Sequence, residues 1–272
     1  RCRRLLGTRK VGHAGTLDPM ATGVLVIGVG RGTRLLGHLA LTTKTYEATI
    51  RLGQATNTDD ADGEVTQATG AVAVSDAAIE SALDALRGDI VQVPSTFSAI
   101  KVDGKRAYAL ARAGADVELA GRPVTVSRFE VLARRAARAE VAVTDLDVAV
   151  DCSSGTYIRA LARDLGASLG VGGHLTALRR TRVGGFDLAG ALSPDELTAD
   201  PPQAPALMPL GEVARRSFAV VELTDDQARD VGYGRPLSIT VPDDPTALLH
   251  QHDLLALYRP DGDRAVPVAV LA

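Results

Sequence analysis

Apolar residues recur along the chain with two different periods, and the changes of period mark its elements. Val24-Leu25-Val26-Ile27 is an unbroken apolar run between glycines and predicts a short buried strand. From Tyr46 to Leu52 the positions alternate, as in a strand with one face on a core. Residues 54–63 are polar almost throughout and predict a loop. Ser75 then stands where an N-cap would, and Ile79, Leu83 and Leu86 share one helix face that stops at Gly88. Ser98 to Val102 predicts a strand turned by Asp103-Gly104, with a short helix over about 106–113. Residues 123–132 and 141–152 alternate again as strands. Thr156 is placed to cap a helix whose apolar positions are Ile158, Leu161, Leu165 and Leu169.

Strands and helices are mixed without a regular βαβ rhythm, which predicts an α+β fold with a mixed or antiparallel sheet. Ala199 to Pro209 carries four prolines and no periodicity, as a linker does. Beyond it lie several short strands and one helix near 224–231. The chain therefore divides on paper into a large domain, 1–210, and a small β-rich domain, 211–272. Its 272 residues suit that division.

Composition narrows the class. Hydrophobic residues make up 46% of the chain, enough for a sizeable core, yet no apolar run approaches the roughly 18 residues of a membrane-spanning helix. Two cysteines, Cys2 and Cys152, form no CxxC motif, so neither a disulfide framework nor a cysteine metal site is expected, and a reducing cytoplasm is the natural setting. The net charge of −3 conceals a segregation: residues 1–44 carry eight bases and one acid, residues 151–186 five bases and two acids, while the remainder is acidic. Two basic segments within an acidic chain suit a polyanionic partner where they converge, although solvated surface arginine explains them equally well.

The one acid in the first basic segment is Asp18, in Gly12-His13-Ala14-Gly15-Thr16-Leu17-Asp18-Pro19-Met20-Ala21-Thr22-Gly23. Pro19 biases Asp18 toward extended conformations, and the surrounding glycines admit close approach of other groups. A carboxylate so placed is a candidate nucleophile or base. The competing reading is a helix start, with Asp18 as N-cap and Pro19 at the first helical position; local chemistry alone favours it. Other motifs are weaker. Thr58 to Gly63 has the look of a calcium loop, but Thr58 stands where the first ligand should be and Thr69 where the bidentate Glu should be. Gly28-Val29-Gly30-Arg31-Gly32 lacks dinucleotide or P-loop spacing, and the five histidines have no paired metal-ligand spacing.

Taken with the later blocks, the stretch around Asp18 resembles the signature of the TruB family of pseudouridine synthases. Lys44-Thr45-Tyr46-Glu47-Ala48, Pro94 to Lys101 with Gly104 to Gly114, Cys152 to Arg159, and His174 to Thr181 are similar to further family blocks and follow in the family's order across residues 10–186. Phe97 stands where the family usually has Tyr. The resemblance implies a catalytic domain carrying a small PUA-like C-terminal module, and a leading segment ahead of Arg1. It also implies an isomerase that converts uridine 55 in the T loop of tRNA to pseudouridine. Asp18 would be the catalytic aspartate, Arg159 its paired arginine, and Tyr46 the ring that stacks on the target base. Tyr157 and Leu178 would line the uracil pocket. His13 would occupy the space left by the flipped base, with a structural histidine as the equal alternative. Arg34, Arg163, Arg179, Arg180 and Arg182 would meet RNA, each with a solvated surface arginine as its alternative.

The resemblance further implies no cofactor or metal, no guide RNA or protein partner, no membrane, and a monomer acting on the T arm of tRNA in the cytoplasm. Three rival readings stand beside it. A tRNA chaperone can coexist with the enzyme. A guide-RNA-dependent pseudouridylase is disfavoured by the lack of long basic extensions. An aspartyl-phosphate phosphotransferase wants an acid two residues after the nucleophile, where this chain has Met20.

Overall fold

The computed structural model describes residues 2–71, 74–97, 101–102, 105–106, 119–199 and 206–271. Residues 98–100, the Asp103-Gly104 turn and the rest of the helix expected to about 113 lie outside them. Flanking that turn, Lys101–Val102 and Lys105–Arg106 pair antiparallel.

The chain divides into two compact units, and the division is not the one read at residue 210. The first unit comprises Leu17–Val24 and Leu41–Arg182, and the second Arg1–Thr16, Leu25–Ala40 and Val183–Ala272. The physical reason is a shared core. Ala14, Leu35 and Leu39, from the start of the chain, are buried against Leu249, Leu254 and Leu257 near its end. Packing, rather than chain continuity, sets the boundary.

The first unit is built on a mixed sheet. Its strands are β1 (Thr22–Gly23), β2 (Lys44–Leu52), β3 (Gly88–Gln92), β4 (Arg122–Arg138), β5 (Ala142–Cys152) and β6 (Gly173–Val183). The order is β6-β2-β5-β4-β3, with β1 parallel to β6. β2, β5, β4 and β3 are successively antiparallel, in a register that sets Tyr46 opposite Val150 and Lys44 opposite Cys152. The alternation read from Tyr46 onward is real: positions 44, 46, 48, 50 and 52 are buried and the others are not. Two helices cover the buried face, α1 (Asp76–Asp84) and α2 (Ile158–Ser168). Ser75 caps α1 as expected, its Oγ accepting from Ala78 N–H at 3.2 Å. Ile79 and Leu83 of α1, with Leu161 and Leu165 of α2, reach the core formed by Ile50, Leu146 and Val148. Each such leucine contributes about 1.5–3 kcal/mol by burial.

Three expectations shift. Thr156 does not cap α2: its hydroxyl donates to Ser153 C=O, and Tyr157 is the N-cap residue. Strands β3 and β6 were not read from the sequence, because neither shows clean alternation. The strand expected at Val24–Ile27 runs instead over Val26–Val29, paired with Val11–Ala14, and leaves Leu25 and Ile27 more than a third exposed.

The second unit holds that hairpin and a four-stranded sheet, β7 (Ala219–Glu222), β8 (Thr246–His250), β9 (Asp253–Asp261) and β10 (Arg264–Val270), in sequential order. Helix α3 (Leu210–Ser217) begins directly after the proline-rich stretch and was not expected from the sequence. It is held by packing: Gly211 and Ala214 are buried, and a Cβ on Gly211 would meet the His252 carbonyl oxygen at 1.8 Å. Helix α4 (Asp225–Gly232) matches the helix predicted near 224–231 and opens with a reciprocal capping box between Thr224 and Gln227.

Candidate active site

The site is assembled from the loop before β1, the start of α2, and the buried face of β2 and β6. Asp18 does not start a helix. Its carbonyl oxygen accepts from Ala21 N–H at 3.0 Å in a tight turn, and the chain then enters β1. Met20 and Ala21 pack on the core, and β1 docks on β6 with Thr22 opposite Arg179 and Gly23 opposite Arg180. Gly23 has φ +99°, and a Cβ there would lie 2.1 Å from the Arg180 carbonyl oxygen. Only glycine permits that approach. The carboxylate of Asp18 is left about a third exposed.

Arg159, in the first turn of α2, meets it. Nε donates to Asp18 Oδ2 and Nη2 to Oδ1, both at 3.0 Å. The remaining donors are taken by the carbonyls of Thr58 at 2.9 Å and Phe97 at 3.0 Å, and Nη1 lies 3.2 Å from Asp60 Oδ2. The guanidinium is buried, with every nitrogen engaged, so its fork is fixed before any ligand arrives.

Behind Arg159 lies a polar layer that sequence reasoning passed over. Asp60 is buried, and its Oδ1 accepts from Asp62 N–H at 3.1 Å. Asp59, at φ 60°, accepts from Ser95 and pairs with Arg163 Nη1 at 3.3 Å. Burial raises the Asp59 carboxyl above its ordinary range, against the opposing pull of Ser95, Arg163 and Arg159. The segment read as a failed calcium loop is therefore an anchor for two arginines. The adjacent pair Asp59-Asp60 was the available signal. Among the described residues, no group of three or more His, Cys, Asp or Glu is placed to hold a metal.

Gln92, almost fully buried on β3, is a second residue missed. Its Oε1 accepts from Tyr157 N–H at 2.8 Å and its Nε2 donates to Tyr157 C=O at 3.1 Å. That clamp holds the start of α2, and with it Arg159.

Tyr46 is buried at 7% exposure on β2. Burial raises its phenol above the ordinary value, which Arg180 opposes and Asp18 reinforces. Leu178 is buried in the same core cluster, and the Tyr157 side chain is half-buried. Burial also lowers Lys44, beside Arg180, and pushes the Cys152 thiol up to about 11.

The arginines separate. Arg180 is 1% exposed and donates from Nε to Val24 C=O at 2.9 Å, so a phosphate contact by this side chain is ruled out by burial. Arg163 is half-buried and engaged by Val93 C=O at 2.7 Å and by Asp164. Arg182 faces Thr45 and Asp151, and Arg179 is exposed. In the second unit, Arg34 is exposed but donates to Val270 C=O at 2.6 Å, and His13 is exposed opposite Ile27 in the hairpin.

Comparison with known proteins places this arrangement. The model of the TruB family pseudouridylate synthase N-terminal domain matches residues 3–158, and that of the tRNA pseudouridylate synthase B C-terminal domain matches residues 159–201. The backbone is similar to that in a crystal structure of a Cbf5-Nop10-Gar1 complex, with a TM-score of 0.71 and 22% identity over 100% of this chain and 79% of that one. It is similar also to that in an H/ACA RNP bound to a substrate RNA containing 2′-deoxyuridine, with a TM-score of 0.69 and 21% identity over 100% and 79%. The fold is that of a pseudouridine synthase catalytic domain with a PUA-like C-terminal module, and the protein is an enzyme of that class.

Among its relatives, tRNA pseudouridine synthase B of Cutibacterium acnes is 58% identical over 97% of this chain and 88% of that protein. The proteins of the same name from Nocardia farcinica and Mycobacteroides abscessus are 57% and 56% identical over the whole chain and 87% and 90% of their own lengths. The chain belongs to the TruB family of pseudouridylate synthases.

Proposed function

We propose that the enzyme isomerises a uridine of tRNA, uridine 55 in the T loop, to pseudouridine, with Asp18 as the catalytic carboxylate. The observation that carries this reading is the bidentate pair between the part-exposed Asp18 and the buried Arg159. The reaction breaks the bond from uracil N1 to ribose C1′, turns the base, and joins C5 to C1′. The C5 proton is lost and N1 gains one, so the reaction is redox-neutral. A carboxylate starts it by attacking C1′ or by removing a proton from C2′. Both routes need a fixed carboxylate oxygen, and the guanidinium fork orients Asp18 for it.

The target base is stacked in a folded loop and must be flipped out, at a cost of a few kcal/mol. Tyr46, Tyr157 and Leu178 would recover it by stacking and apolar contact. His13 would fill the space vacated, and exposed Arg179 and Arg34 would meet RNA backbone. Sequence identity to proteins named tRNA pseudouridine synthase B supports tRNA as the substrate. On this reading the enzyme works as a monomer in the cytoplasm, on bare tRNA, without a guide.

The test is incubation of the purified protein with an unmodified tRNA transcript, followed by carbodiimide mapping of pseudouridine. Stoichiometric modification at position 55 is expected. Modification only when a guide RNA or a second protein is added would overturn the reading.

A further inference from the structure

Asp59 is a buried carboxylate that the preceding mechanism does not use. Its main chain has φ 60°, a left-handed conformation that side chains other than Asn and Asp rarely hold. That turn is pinned from three directions. The Asp59 C=O accepts from Leu175 N–H on β6 at 3.0 Å. Its Oδ2 accepts from the hydroxyl of Ser95, which is fully enclosed, and from Arg163 Nη1 at 3.3 Å. Arg163 in turn donates from Nη2 to Val93 C=O at 2.7 Å. One carboxylate oxygen thus ties together the loop at 54–63, the segment that follows β3, and helix α2.

The same three segments hold Arg159. The C=O of Thr58, one residue before Asp59, accepts from Arg159 Nη1 at 2.9 Å. The C=O of Phe97, two residues after Ser95, accepts from Nη2 at 3.0 Å. Arg163 lies one turn beyond Arg159 on α2. Each segment that Asp59 gathers therefore carries either the guanidinium or a carbonyl that fixes it.

We propose that Asp59 is a positioning residue for the isomerisation: through Ser95 and Arg163 it sets the carbonyls that hold the Arg159 fork, and so the aim of Asp18. The inference rests on the reading of Asp18 as the catalytic carboxylate. A guanidinium makes a true two-point contact only when its plane is fixed. The carbonyls of Thr58 and Phe97 bind its two terminal nitrogens, so a shift of either turns the edge that Nε and Nη2 present to Asp18. A misplacement of about 1 Å at the reacting group costs on the order of 100-fold in rate, and a smaller displacement relayed through Arg159 costs less.

The experiment uses the full chain with unmodified tRNA. Asp59→Asn keeps the left-handed turn and one acceptor oxygen but removes the charge that holds Arg163. Single-turnover pseudouridine formation is expected to fall by roughly 5–20-fold, with tRNA affinity within about twofold of the parent. Ser95→Ala cuts the other tie and is expected to act in the same direction. Arg163→Gln should also slow the reaction, and the double variant with Asp59→Asn should be no slower than the slower single one, because both remove the same link. A second readout bypasses turnover. The Nε–H signal of Arg159, identified by its absence from Arg159→Lys, is followed by NMR of isotope-labelled protein. It is expected to shift in Asp59→Asn and to exchange faster with water.

A rate within about twofold of the parent in Asp59→Asn, an unmoved Arg159 signal, or losses that multiply in the double variant overturns the proposal. If Asp59→Asn does not fold, Ser95→Ala carries both readouts. If the parent itself forms no pseudouridine, the functional reading fails, while the Arg159 signal still tests the link from Asp59.

Discussion

Asp18 and Arg159 stand 141 positions apart in the chain, yet each carboxylate oxygen of the first lies 3.0 Å from a guanidinium nitrogen of the second. The arginine is buried and the aspartate is partly open, so the pair presents one face to solvent and anchors the other in protein. That asymmetry suits a group that must reach a ligand without changing its own orientation.

Asp18→Asn keeps the shape and the turn to Ala21 but removes the charge. Pseudouridine formation should drop by roughly 10³-fold or more, while tRNA affinity stays within about threefold. Single-turnover assays alongside filter binding would show this. Activity near the parent level would remove Asp18 from the chemistry.

Arg159→Met should destabilise the fold by about 3–5 kcal/mol, because Asp60 and the carbonyls of Thr58 and Phe97 lose their donor inside the protein. Arg159→Lys should be milder in stability yet lose about 100-fold in turnover, since an ammonium cannot reproduce the two-point hold. Urea denaturation of both variants measures the first effect and turnover of Arg159→Lys the second.

Gly23→Ala forces a Cβ into the backbone of β6 at a φ that L side chains rarely adopt. The strain alone is about 1–3 kcal/mol, and relief requires the Asp18 loop to lift. The variant is expected to lose both stability and turnover. An equally stable, fully active Gly23→Ala would show that β1 is not held as described.

Gln92→Leu is close in volume but leaves the Tyr157 N–H and C=O without their side-chain partner. The Tyr157 C=O still accepts from Leu161 N–H at 3.2 Å, so the loss falls on the N–H, at about 1–3 kcal/mol. Because the clamp holds Tyr157, two residues before Arg159, turnover should fall as well, with hydrogen exchange quickening at the start of α2.

His174 gives a pH dependence whose sign can be worked out. Its Nδ1–H donates to Gln54 C=O at 3.0 Å, and burial lowers its pKa below the ordinary 6.5. The folded state therefore binds fewer protons than the unfolded state over the interval between the two values. Stability from this residue is complete above about 6.5 and is lost as pH falls through that interval. His174→Asn, which can keep the donor to Gln54, should flatten this part of the curve. Denaturation midpoints between roughly pH 5 and 7.5 would reveal it. An unchanged slope would mean His174 does not titrate as described.

The sequence alone determined several local elements: the alternating β2, the capped α1, the apolar face of α2 and the short helix α4. These follow from short-range physics, in which a repeat of apolar positions selects its own backbone period. The resemblance of its ordered motif blocks to the TruB family also singled out Asp18, Tyr46 and Arg159, where the local chemistry around Asp18 by itself favoured a helix cap.

Tertiary structure alone decided what those residues touch. It buried Arg180, tied Arg163 to Asp59, and converted Asp59 and Asp60 from a polar loop into a foundation for arginines. Gln92 became a helix clamp, and residues 1–16 were grouped with the far end of the chain. Apart from the adjacent acids at 59 and 60, none of these has a sequence signature, since a buried polar side chain and an exposed one are the same letter. The difference lies in desolvation and in donors contributed from positions a hundred residues away, which exist only once the sheet has closed on its helices.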